Sequence, residues 1–226
     1  MANVTNKDKQ EIRKDQIEEK VSATEQFYNK NKKTIWGALI AVVVIGLAVL
    51  AWHKFIYQPK CKEAMEQCYP AEINFRNGLY DVALNGDGNT FGFVQVIEEY
   101  GNKAGKAVWL YAGICELQLG NYESALAYLG KYKGTDSILK ARALACQGDA
   151  YVGLGDNAKA LSFYDAAVKA GKNDFAATYL FKAGQVYEAQ GDNASALKCY
   201  KQIKDQYPRS LEAYEIDAYN ARIEAL

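Results

Sequence analysis

GNYESAL at Gly120–Leu126, GDNAKAL at Gly155–Leu161 and GDNASAL at Gly191–Leu197 are one phrase written three times. The steps between the three leading glycines are 35 and 36 residues, a period at which chains build stacked helical units. Upstream of each phrase stands a second glycine at the same interval: Gly113, Gly148 and Gly184. Downstream, Ala125, Ala160 and Ala196 recur in register. The leading glycines fit a helix that ends on a left-handed residue, which only glycine adopts without a Cβ penalty. Asn121, Asp156 and Asp192 then fit as caps that accept from the free N–H groups of the next helix. The second glycines and the alanines are small where two helices pass closely, and Trp109, Tyr151, Tyr164, Tyr187 and Tyr200 fill the space between. Each unit therefore reads as a helix, a tight turn and an antiparallel helix. Another step of 35 upstream finds Gly78 within AEINFRNGLYDVAL, and Gly92 falls 33 residues before Ala125, which outlines a degenerate first unit.

These residues resemble the tetratricopeptide repeat (TPR) family. The first good repeat supplies Trp109, Gly113, Gly120, Tyr122 and Ala125. The second supplies Leu144, Gly148, Tyr151, Gly155, Ala160, Tyr164 and Ala167, and the third Leu180, Gly184, Tyr187, Gly191, Ala196, Tyr200 and Pro208. Two departures stand out: Glu116 replaces an expected tyrosine, and the first unit's turn is expanded to NGDGNT at Asn85–Thr90. The resemblance covers about residues 71–208 and implies an all-α fold, a TPR α-solenoid of about four helix pairs. The expected repeats are 71–104, 106–139, 141–174 and 177–210. A capping helix over 210–226 begins at Ser210, with Leu211, Tyr214, Ala218 and Ala221 on one stripe that covers the last repeat's apolar face.

Ahead of the repeats, IWGALIAVVVIGLAVLAW at Ile35–Trp52 runs eighteen residues without a charge. At about 1.5 Å per residue this is close to the hydrocarbon thickness of a bilayer. Trp36 and Trp52 mark its ends, where aromatic rings favour the headgroup level, and no polar stripe marks it as a core helix. One transmembrane helix is expected over 34–57, after a charged leader, 1–33, and before a juxtamembrane helix, 58–70. In the leader, Ile12, Ile17, Val21 and Phe27 give only a faint stripe, as in a solvated helix or a disordered tail. Eight Lys or Arg residues precede the apolar run and three follow closely. This bias predicts a single-pass protein with a cytoplasmic N-terminus and its TPR domain across the membrane, in the periplasm or its equivalent.

Formal net charge is zero, but residues 1–60 carry about +4 and residues 61–226 about −4. An acidic folded part disfavours nucleic acid as a partner. The five cysteines, Cys61, Cys68, Cys115, Cys146 and Cys199, show neither a disulfide framework nor a zinc spacing and read as small buried side chains. His53 is the single histidine, which excludes a multi-histidine metal cluster. In NGDGNT, Asn85, Asp87 and Asn89 match the first ligands of a calcium loop, but Thr90 and Val96 stand where glycine and a bidentate glutamate belong. That stretch reads instead as a turn in which Thr90 caps the following helix. No catalytic, cofactor or metal residues are expected, the chain is expected not to be an enzyme, and no small-molecule substrate is implied.

The resemblance implies a binding groove lined by the first helix of each pair. By alignment to the family pattern the candidate residues are Phe75, Leu79, Leu110, Ile114, Leu117, Arg142, Asp149, Phe181 and Gln185, apolar in the first half and polar in the second. Apolar anchors of this kind suit extended or helical protein segments. The order of leader, single span and repeats also resembles the YfgM-like ancillary proteins of Gram-negative inner membranes. That likeness implies partners among chaperones, secreted or unfolded clients and membrane complexes, next to the Sec translocon, with the bilayer engaged through the anchor. Two alternatives stay open: a structural subunit of a stable membrane complex, and a cytosol-facing adaptor of inverted topology.

Overall fold

The computed structural model describes residues 6–171 and 174–225, with side chains from residue 25 onward. The leader stripe of Ile12, Ile17 and Val21 lies outside the described side chains. The chain divides into two compact units, residues 1–59 and 60–226.

The first unit is dominated by one long helix, α1 (Asn6–Trp52), followed by a π-helical turn over His53–Tyr57. From Glu25 this helical stretch is long and apolar enough to cross a membrane, and none of its apolar window is buried. Its aliphatic side chains, such as Val42 and Leu50, are exposed all round. In the π-helical turn the His53 ring stacks on Tyr57, with centroids 5.5 Å apart.

The second unit is an all-α solenoid. Its regular part consists of α5 (Ala107–Gln118) and α6 (Tyr122–Leu129), α7 (Ser137–Gly153) and α8 (Asn157–Gly171), and α9 (Phe175–Ala189) and α10 (Asn193–Gln206). α11 (Leu211–Glu224) packs on α9 and α10. The first helices contact one another in sequence, α5 with α7, α7 with α9 and α9 with α11.

The three repeated phrases form three copies of one turn. Gly120, Gly155 and Gly191 have φ of 80°, 77° and 77°. Around each, paired backbone bonds close the preceding helix: Asn121 N–H to Glu116 O and Gly120 N–H to Leu117 O in the first case, with the same pairs at Asp156–Tyr151 and Asp192–Tyr187. This satisfies carbonyls that would otherwise lack a partner. Asp156 and Asp192 then cap α8 and α10, their Oδ1 atoms accepting from the N–H groups of Lys159 and Ser195. The side chains of Lys159 and Ser195, and after them these backbone N–H groups, hold both carboxyls below the usual carboxylate range. Asn121 departs from the expected role. Its amide donates to Glu116 Oε2 at 2.8 Å, and its side chain caps nothing.

The second set of glycines is a packing device. A Cβ on Gly148 would lie 2.6 Å from Tyr164 Cε1, one on Gly184 2.4 Å from Tyr200 Cε1, and one on Gly113 2.6 Å from Leu129 Cγ. Leu129, Tyr164 and Tyr200 occupy one repeat position, each resting on the glycine of the helix before it.

The first unit of the solenoid differs from its expected form. α2 (Gln58–Arg76) runs through both 58–70 and the start of the first repeat, with Pro70 inside it. Gly78, expected as a close-packing glycine within a helix, has φ 74° and lies in a break between α2 and α3 (Tyr80–Asn85). Gly92 is not the counterpart of Ala125 either, since it is the N-cap of α4 (Phe93–Tyr100), where Gln95 Oε1 accepts from its N–H. Thr90 does not cap that helix: both its N–H and its hydroxyl donate to Asp87 Oδ1. The expanded turn absorbs the residues that a regular helix pair would use.

The expected stripe on the terminal helix is also inverted. Ser210 caps α11 through Oγ, but Leu211, Tyr214, Ala218 and Ala221 are exposed. Ile216 and Ile223 carry the buried face, with Tyr219 packed beside them. The contact with α9 and α10 selects branched aliphatic and aromatic side chains half a turn away from the stripe.

Candidate functional site

The residues expected to line one groove fall into three groups. Leu110 and Ile114 are core residues, 1% and 6% exposed, enclosed with Ala125, Leu129 and Ala143. This corrects their assignment as groove anchors: α5 is flanked by α6, α7 and α3, so the flank expected to face a partner is covered by the chain itself. Phe75 is half-buried among Tyr80, Phe93 and Tyr111, with ring centroids 5.9, 6.1 and 5.1 Å away. Phe181 is likewise held by Tyr200 and Tyr219, and Leu117 packs against the same core as Leu110. Leu79 is exposed, at the break before α3. Arg142 is exposed, one helical turn before the buried Cys146.

Asp149 and Gln185 are brought together. They line a groove of 370 Å³ between α7 and α9, with Val152, Lys182, Val186 and Ala189. Tyr164 forms part of its wall. Asp149 is the centre of its polar chemistry. Its Oδ1 accepts from the Tyr164 hydroxyl at 2.8 Å, and both oxygens accept from Lys182 Nζ at 2.7 Å. Burial, and then the charge of Asp149, push the Tyr164 hydroxyl well above its ordinary value, so it stays a donor. Gln185 is exposed beside this pair, and Val152 is 40% exposed on the α7 wall.

The arrangement recurs one unit later. Tyr200 donates to Glu188, and Arg222 of α11 pairs with the same carboxylate. In each case a buried tyrosine of a second helix and a cation from the next first helix meet on one carboxylate. Thr178 on α9 adds a bond to Glu212 on α11. These ties neutralise the charge along this part of the solenoid and leave side-chain amide and aliphatic surface facing the groove. Such a surface can take an uncharged or extended peptide backbone, with the Gln185 amide free to rotate between donor and acceptor. The groove residues carry no isolated nucleophile or paired free carboxylates.

The ties could have been read from spacing. Asp149 and Lys182 are 33 residues apart and Glu188 and Arg222 are 34, each about one repeat. With Leu129 at the tyrosine position and Ile114 and Leu117 at the carboxylate positions, α5 and α6 lack the side chains for such a tie.

No curated protein matches the chain. The stretch that carries the groove, residues 147–210, matches the tetratricopeptide repeat family model, and in this part the chain is similar to that family.

Proposed function

We propose that this protein is a membrane-anchored, non-enzymatic interaction module, in which the groove between α7 and α9 receives extended segments of other proteins. The observation that carries the reading is the groove itself: a 370 Å³ recess whose charges are internally paired, within the stretch that matches a protein-binding repeat. The anchor is supported by α1, whose apolar stretch is unburied among the described residues. A bilayer accounts for that exposure at low energetic cost, because every backbone group in such a helix is satisfied internally. The excess of Lys and Arg before the stretch favours a cytoplasmic leader and a periplasmic repeat unit in an inner membrane. Recruitment of chaperones or secreted clients beside the translocon is the finer reading, supported by the order of leader, span and repeats.

A photo-cross-linking residue at position 185, in the full chain in native membranes, tests the groove. Cross-links to other proteins from position 185, and few from exposed Lys201 on α10, agree with the reading. Cross-links from position 201 alone contradict it.

A further inference from the structure

The outward face of α11 carries Leu211, Tyr214, Ala218 and Ala221, and its C-cap Ala225 continues the line, at steps of three, four, three and four residues. Leu211 is 84% exposed and Tyr214 77%, the two highest values among large hydrophobic side chains of the described residues, above even the apolar residues of α1. A helix on the rim of a solenoid would ordinarily be polar on this side. α11 is instead apolar on two faces: Ile216 and Ile223 hold it to α9 and α10, and the second face is unpartnered. Alternating steps of three and four give a period of 3.5, the spacing of a seam shared by two helices wound on each other.

We propose that this seam is homotypic, and that α11 pairs in parallel with α11 of a second copy of this chain. The spacing is self-complementary, so an identical helix related by a two-fold axis fits it with no further shaping. Ala218, Ala221 and Ala225 let the two backbones approach at one end, while Leu211 and Tyr214 fill the gap at the other. The flanking charges select both partner and direction. Glu215 and Arg222 border one side of the seam, and Asp217 and Glu224 the other. A parallel pair sets Asp217 opposite Arg222 of the second copy, twice. An antiparallel pair sets Asp217 against Glu224 of the second copy, twice. Asp217 already bonds Lys204, and Arg222 bonds Glu188, yet their side chains are 73% and 55% exposed and keep a solvent-facing side. Three acidic residues against one arginine also set this face against an anionic lipid surface. Two heptads are short for a coiled coil, so the pairing is a weak one that proximity in a shared membrane strengthens.

The test uses the full chain, purified in a neutral detergent, with benzoylphenylalanine replacing Tyr214. Irradiation is expected to give a covalent dimer whose cross-link maps to residues 211–218 of the second copy. The same protein carrying Leu211→Glu and Ala218→Glu should lose about tenfold or more of that product, since interface energy concentrates in few central residues. Its circular dichroism should stay unchanged, because both positions are exposed in the single chain. No cross-linked dimer, a cross-link mapping elsewhere in the second copy, or a dimer that survives the two glutamates would each overturn the proposal. Cross-links from position 185 leave this result unaffected, so the groove and the seam fail or stand separately.

Discussion

Asp149 on α7 and Lys182 on α9 meet through both carboxylate oxygens at 2.7 Å, while the buried Tyr164 hydroxyl donates to the same carboxylate. One half-buried side chain thus links both helices of its own repeat to the first helix of the next. Glu188 repeats the relation with Tyr200 and Arg222. Nearest-neighbour terms of this kind set how cooperatively a solenoid unfolds.

Lys182→Met is expected to cost about 1 kcal/mol, because the pair is partly solvent-screened and Tyr164 still satisfies Asp149. Asp149→Ala is expected to cost more, about 2–3 kcal/mol, since it orphans a buried hydroxyl together with the ion pair. Urea unfolding of the two single variants and the double variant gives the coupling directly. Strictly additive losses would show that the two side chains do not stabilise each other.

Gly148→Leu places a branched side chain where a single Cβ already comes within 2.6 Å of the Tyr164 ring. A loss of about 3 kcal/mol or more is expected, because a close-packed interface must open to admit it. Gly155→Ala, with φ 77° and nothing within 4 Å of the new Cβ, is expected to lose only about 1 kcal/mol through backbone strain. Thermal melts of both variants against wild type separate packing from strain, and equal losses would contradict the distinction.

The helical repeat was legible because its marks are local. Glycine turns, capping aspartates and small–large alternation all act within one helix pair, and the three GxxxxAL phrases encode them directly. The first unit was less legible: Gly78 keeps the 35-residue step, yet its preceding helix arrives as a long extension from residue 58, so the same residue type ends a helix there. The groove was legible only in part. Whether Leu110 faces a partner or a neighbouring helix depends on how α5 sits against α3, α6 and α7, which one helix's periodicity does not encode. Asp149 and Gln185 came from alignment to the family pattern, and they lie together on the flank between α7 and α9. The stripe of α11 was misread for a similar reason: with two apolar faces, periodicity alone does not say which one meets the chain.

Burial pushes the thiols of Cys68 and Cys115 up to about 12 and that of Cys146 up to about 11, from an ordinary 9.0. Neighbouring carboxylates add to the effect. A raised folded-state value means that the thiol's contribution is fully present below pH 9.0 and is lost as pH rises towards the folded values. Urea midpoints are therefore expected to fall between about pH 9 and 12, and Cys115→Ala should flatten part of that fall. A fall of the same size in Cys115→Ala would assign the alkaline loss to other groups.

The groove between α7 and α9 is most directly tested by the set of proteins that co-purify with the full chain from native membranes, quantified for wild type and for Val152→Asp with Gln185→Glu. Both positions are exposed, so the variant should keep its melting temperature within about 1–2 °C, as surface changes do. New unpaired charge on both walls of a groove whose own charges are paired is expected to reduce partner recovery by about tenfold or more. A folded variant that recovers the wild-type partners in wild-type amounts would contradict the assignment of the groove as the interaction surface.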